Sequence, residues 1–195
     1  MKTLIAYYSH GGNNRFLAEK IATDLGGELV ELRPRLKAFA CVLIASATHV
    51  SFGNRKVKRP VGEYDAVILC GPIYMGQLIA PVRDFMKANR KELKRLYFAT
   101  CCAGGEREKD TKFGYNAVFA AARAILGERL AGSAAFPFEL FAADEMRANP
   151  DGILKIKLTE GKFSGAVAER YAALVREVRE QDSLGIGQSP RDGTR

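Results

Sequence analysis

Met1-Lys-Thr-Leu-Ile-Ala-Tyr-Tyr-Ser-His-Gly-Gly-Asn-Asn-Arg15 is the stretch on which the reading of the whole chain turns. Thr3 to Tyr8 are apolar and aromatic without alternation, the pattern of a strand covered by helices on both faces. Ser9, His10, Gly11, Gly12, Asn13 and Asn14 then turn the chain. Leu17, Ala18, Ile21, Ala22 and Leu25 recur at helical spacing, so a helix is expected over 14–25. Strand, small polar turn and helix N-terminus together make a place where a phosphate can sit. The first amides of a helix have no partner within it, the helix dipole favours negative charge there, and glycine lets the backbone come close. The side chains of Ser9, Asn13 and Asn14 are expected to complete the cradle, with Arg15 adding charge and His10 within reach of the phosphate.

Spacing narrows the kind of phosphate. No Gly-Lys-Ser/Thr follows, so this is not a nucleoside triphosphate loop, and it is not the Gly-x-Gly-x-x-Gly dinucleotide fingerprint. The segment resembles the Ser/Thr-x-Thr-Gly-Asn-Thr loop of the flavodoxins, which holds the 5′-phosphate of FMN. Gly11 stands where that family has a threonine, and Asn14 stands where it has the last one. Each change loses a hydroxyl donor, although Asn14 keeps an amide. A plain strand-to-helix turn in some other α/β protein is the alternative.

Two further stretches bear on the same site. In Glu63-Tyr-Asp-Ala-Val-Ile-Leu-Cys-Gly-Pro-Ile-Tyr-Met-Gly-Gln77, a buried strand at 66–70 ends sharply at Gly71-Pro72, and Ile73, Tyr74, Met75 and Gly76 read as a loop. Pro81 signals the next helix start. This resembles the flavodoxin pattern of Tyr-Asp, strand, Gly-x-Pro-x-aromatic-x-Gly, and the resemblance places Tyr74 against the isoalloxazine ring. Tyr74 as core packing beside a tight turn is the other reading. In Leu96-Tyr-Phe-Ala-Thr-Cys-Cys-Ala-Gly-Gly105 a strand again runs into small residues. By the same resemblance Thr100 and the amides of Cys101, Cys102, Ala103, Gly104 and Gly105 face the pyrimidine edge of the flavin. Adjacent cysteines rarely form a relaxed disulfide, so Cys101 and Cys102 are read as small loop residues rather than a thiol catalyst.

The remaining elements follow from periodicity and punctuation. A strand is expected over 28–32 after Gly26-Gly27, a helix over 113–126, a fifth strand over 130–138 and a closing helix over 162–179. Residues 139–162 are irregular, with a turn at 149–152 and a short edge strand or extended cover at 153–158. Residues 37–53 read as a core-facing helix, with a hydrophobic lip for a quinone, a subunit interface or a membrane-surface contact as functional readings. The alternation implies α/β architecture: a three-layer doubly wound sandwich with a five-stranded parallel sheet, one domain over 1–182, and a disordered tail over 183–195. The strand order 2-1-3-4-5 is what the flavodoxin-like resemblance implies, not something the spacing establishes.

Composition bounds the function. At 195 residues, 47% hydrophobic and 27% charged, the chain can bury a full core. It contains no run long enough for a transmembrane segment, and its N-terminus enters a strand without signal-peptide anatomy. Four cysteines without metal-ligand spacing suit a reducing, cytoplasmic location. Net charge is +8, yet the basic residues read as scattered, with 55–59 the one dense block. That block lacks an aromatic platform or a zinc signature, so no nucleic acid partner is expected.

The resemblance therefore implies an FMN-binding redox protein that carries electrons between protein or small-molecule partners. An NAD(P)H- or quinone-dependent reductase, and a flavodoxin-fold binding module without redox activity, are the alternatives. A homodimer also stays open. No residue stands out as a catalytic acid or base. The absence of a carboxylate at 100–105 suggests a less negative flavin potential than in acidic flavodoxins.

Overall fold

The unbroken apolar runs around Ile5, Ile68 and Phe98 become adjacent strands in which all three side chains are fully buried. A computed structural model of the chain describes residues 1–57, 60–148 and 150–185. Within them β1 (Thr3–Tyr7), β2 (Glu28–Glu31), β3 (Ala66–Cys70), β6 (Leu96–Cys102) and β7 (Leu130–Pro137) form one parallel sheet. Their spatial order is β2-β1-β3-β6-β7, which is 2-1-3-4-5 among the five taken in chain order. β4 (Ile73–Tyr74) and β5 (Gln77–Leu78) pair separately as an antiparallel hairpin.

Helices cover both faces, as unalternating strands require. Ile5 and Tyr7 of β1 face Leu17 and Ile21 of α1 (Asn13–Leu25) and Val167, Leu174 and Val178 of α6 (Gly165–Gly185). Leu4 and Ala6 point the other way, towards α2 (Phe39–Ala47), α3 (Ala80–Asn89) and α4 (Tyr115–Leu126), where Val42, Val82, Phe85, Met86 and Val118 pack. Each fully buried Leu or Ile in these layers contributes roughly 1.5–3 kcal/mol. α5 (Glu139–Ala148) is broken at Ala142, whose φ of −150° is not helical.

Several local expectations change. Ile73-Tyr74-Met75-Gly76 is not a loop but the first half of the β4–β5 hairpin, turned by Met75 and Gly76 with φ of 49° and 72°. Two positive φ values fit the mirror-image turn that matches strand twist. A Cβ at Gly76 would also lie 2.2 Å from the carbonyl oxygen of Lys112. Cys101 and Cys102 end β6 instead of lying in the loop beyond it. Residues 156–158 form the extended cover and not an edge strand; Ile156 and Leu158 are buried, and their backbone groups bond the Asn13 side chain. α6 continues to Gly185, and residues 186–195, like Lys58, Arg59 and Asn149, lie outside the described residues.

α2 is pinned from below. Ser46 Oγ accepts the Ala80 amide at 2.8 Å, and the buried Arg83 guanidinium donates to the carbonyls of Ala45 and Val50 at 3.2 and 2.6 Å. Arg83 pairs with the equally buried Asp84, which accepts the Gly53 amide.

Candidate functional site

The turn before α1 is built to present backbone donors. Gly12 is the helix cap at φ 96°, a conformation that favours glycine, and its amide donates to Ser9 Oγ at 3.0 Å. The Gly12 carbonyl accepts from Phe16, and no acidic side chain occupies the first turn. The amides that open α1 therefore point out of the helix at its positive end.

Asn13 and Asn14 have a different role from the one expected. Both are buried. Asn13 Nδ2 donates to the Ile156 carbonyl and its Oδ1 accepts the Leu158 amide, both at 2.9 Å. Asn14 Oδ1 accepts the Cys101 amide at 2.8 Å, while its Nδ2 donates to the Cys101 carbonyl at 3.2 Å. The two amides brace the turn against β6 and the 156–158 cover, which leaves a ligand to the backbone. The exposed side chain of Arg15 runs along α1 to Glu19, at 2.7 Å. Lys157 is the cation that meets the turn, donating from Nζ to the Gly11 carbonyl.

A cavity of about 60 Å³ lies at the carboxyl ends of β1, β3, β6 and β7. Ser9, His10, Gly11, Asn13 and Asn14 form one wall, Pro72 and Tyr74 a second, and Cys101 and Phe138 close it. The His10 ring lies flat on Phe39, with centroids 3.7 Å apart, and Phe39 meets the edge of Tyr74 at 5.6 Å. Burial raises the phenol pKa of Tyr74, and burial with Tyr74 nearby raises that of Tyr8, so both stay neutral at ordinary pH.

Other expected residues fall outside the cavity lining. Thr100 is entirely buried within β6, where its hydroxyl has no partner among the described residues. Ile73 packs against Cys102, Tyr115 and Ala135. Met75 is 80% exposed at the hairpin tip. Ala103, Gly104 and Gly105 are half-buried and run beside Glu139, whose Oε1 accepts the Glu106 amide at 2.6 Å. The loop thus has carboxylates next to it that its own residues do not supply. Glu106 is held by Arg170 at 2.7 Å and Tyr115 at 2.8 Å. Burial pushes the Cys102 thiol up to about 12 and raises that of Cys101 as well, which makes both poor nucleophiles.

A larger cavity, about 900 Å³, opens between residues 51–57 and α3 and is lined by none of the expected site residues. Size does not make it the site: ligands of open α/β sheets bind at strand carboxyl ends, where the smaller cavity lies.

A family model for the flavodoxin domain matches residues 40–131. A flavoprotein from Lactobacillus acidophilus, solved in complex with FMN, superposes with a TM-score of 0.57 at 19% identity, covering 74% of this chain and 97% of that one. The fold is flavodoxin-like. A protein of Bacteroides eggerthii described as a flavoprotein gives a TM-score of 0.56 at 19% identity, over 78% of this chain and 97% of its own. No curated protein sequence matched. Identities this low speak for the fold alone, and the family match begins after the 9–14 turn, so the turn rests on its own geometry.

Sequence reasoning reached Phe39 only as part of the 37–53 segment and did not bring Phe138 or Lys157 to the cavity. Phe39 and Phe138 look like ordinary helix and strand-end apolar residues, and Lys157 reaches Gly11 across 146 positions of chain. No local signal marks any of them.

Proposed function

We propose that the chain binds FMN and works as a redox protein, carrying electrons between protein or small-molecule partners. One observation carries this reading: the turn before α1, Tyr74, Cys101 and Phe138 surround a single cavity at the junction of β1 and β3. In open sheets of this order, of which flavodoxin is itself a standard example, that junction is where the strand order reverses and ligands bind.

The donors fit a phosphate monoester. Outward amides of α1, a left-handed glycine and Lys157 beside Gly11 offer positive potential without needing a metal. Phe39, His10 and Tyr74 offer aromatic faces to a planar ring. The cavity is far smaller than the several hundred Å³ typical of cofactor sites. His10, stacked on Phe39, is exposed at the edge of the cavity. When bound, the flavin would supply the redox chemistry; the chain supplies orientation, water exclusion and local charge. The free thiols suit a reducing compartment such as the cytoplasm. No helix of the described residues is long and apolar enough to cross a membrane.

A second reading, a reductase that uses NAD(P)H or a quinone, is favoured by the rim of the site. Met75, beside Tyr74, and Phe113, against Gly76, are 80% and 55% exposed and present an apolar surface to an incoming oxidant. The visible spectrum of purified protein mixed with FMN and freed of unbound flavin tests the shared claim. Retained flavin colour supports it, and a colourless protein refutes it. Rapid anaerobic bleaching by NAD(P)H, reversed by a quinone, would then select the reductase; slow bleaching would select the carrier.

A further inference from the structure

Counted by segment, the charge of the chain is far from evenly scattered. Residues 32–62 hold seven Lys and Arg and no Asp or Glu, so this one segment carries seven of the eight net positive charges. Within it, residues 38–54 contain no charged side chain at all. The structure folds this pattern into one surface. The Arg35 amide donates to the Gly53 carbonyl at 3.1 Å and the Arg55 amide to the Arg33 carbonyl at 2.8 Å, around a bridge between Pro34 and Asn54. The two basic flanks are thereby zipped together, which sets exposed Arg33, Arg35 and Lys37 near exposed Arg55 and Lys56.

Between the flanks rises α2, whose apolar character is not confined to its buried side. Val42, Ala45 and Ser46 face the core, but Ala40, Ile44 and Ala47 face out. Leu36, Ile44, Val50 and Phe52 are 43%, 60%, 47% and 41% exposed, half of the eight large hydrophobic side chains exposed among the described residues. Arg83 and Asp84 hold this excursion rigidly to α3, so the exposure belongs to a fixed surface.

We propose that this surface docks the protein onto an anionic lipid bilayer. Aliphatic and aromatic side chains at the centre enter the headgroup region, and the basic flanks attract acidic headgroups, the combination that holds peripheral elements in a membrane interface. Outside 32–62 the 23 Lys and Arg are balanced by 22 Asp and Glu, so this segment holds nearly all of the net charge. Glu31, paired with Arg33, Asp84, paired with Arg83, and Glu92, near Arg55 and Lys56, are acidic groups beside the surface and offset only part of its charge. Phe39 at the start of α2 touches His10 and Tyr74, so docking would hold the mouth of the candidate site beside the bilayer. The inference does not depend on the flavin.

Sedimentation of the full chain with vesicles tests it. The protein should pellet with vesicles of equal parts phosphatidylcholine and phosphatidylglycerol, stay in solution with phosphatidylcholine alone, and be released by salt. Each basic residue near such a surface is worth roughly fivefold in affinity, so Lys37→Glu/Arg55→Glu should weaken binding more than tenfold. Ile44→Glu/Phe52→Glu should weaken it as much, with unchanged thermal unfolding because all four side chains are exposed. Binding that is absent, equal on neutral vesicles, or insensitive to both double variants would overturn the proposal. Self-association that Ile44→Glu abolishes would also overturn it, since a second copy would then occupy the face.

Discussion

Replacing Asn14 separates the two halves of its clamp on Cys101. The buried amide accepts the Cys101 N–H at 2.8 Å and donates to the Cys101 carbonyl at 3.2 Å. Asn14→Ala leaves both buried backbone groups without that partner, at about 1–3 kcal/mol each, so a loss of about 2–6 kcal/mol in urea unfolding is expected. Asn14→Asp keeps the acceptor but turns a carboxylate oxygen towards the Cys101 carbonyl. Burial and that repulsion should raise the new carboxyl above its unfolded value of about 3.9. Because the folded state then binds the proton more tightly, the variant should be near its full stability below that value and lose stability as pH rises through the folded pKa. Protonated, the carboxyl can donate to the carbonyl and restore the clamp. Parallel urea curves across acid and neutral pH decide the matter. A cost below about 0.5 kcal/mol for Asn14→Ala, or an Asn14→Asp penalty unchanged by pH, would refute the clamp.

Other expectations follow from neighbouring contacts. Arg83→Met should cost about 3–5 kcal/mol by stranding buried Asp84, and Arg83→Met/Asp84→Asn should cost less than the sum of the two single changes in a denaturation cycle. With a thiol reagent the native chain should show one fast cysteine, half-buried Cys41, which Cys41→Ser removes; Cys70, Cys101 and Cys102 should react only on unfolding. Burial acts to raise the Glu106 carboxyl, but bonds from Tyr115 and Arg170 outweigh it and hold the group below its ordinary 4.5. Its contribution to stability is therefore present above 4.5 and lost as pH falls through the lower folded value, so Glu106→Gln should flatten the acid limb of a stability–pH curve.

The architecture was legible because β1, β3 and β6 are continuous apolar runs, each followed by small residues and a helix signal. Those same junctions bring Ser9, Tyr74 and Cys101 to one cavity, because each lies at the carboxyl end of a central strand or just beyond it. What the chain concealed depends on contacts between distant positions. Asn13 meets Ile156 and Leu158 more than a hundred residues away, and only that contact explains why its side chain is occupied. The β4–β5 hairpin escaped notice because its turn places Met75 at a positive φ, where Asn or Gly would have been the usual signal. The basic segment was overlooked because its flanks lie twenty positions apart in sequence and meet only through the Pro34–Asn54 bridge.

The central claim is that a phosphate sits on the amides opening α1, and calorimetric titration of the apoprotein with FMN and with riboflavin tests it most directly. The two ligands share the ring and differ in that phosphate. A few charge-assisted bonds from the α1 amides and Lys157 predict that FMN binds tighter by on the order of a hundredfold or more. Equal affinities, or no binding of either, would contradict the account.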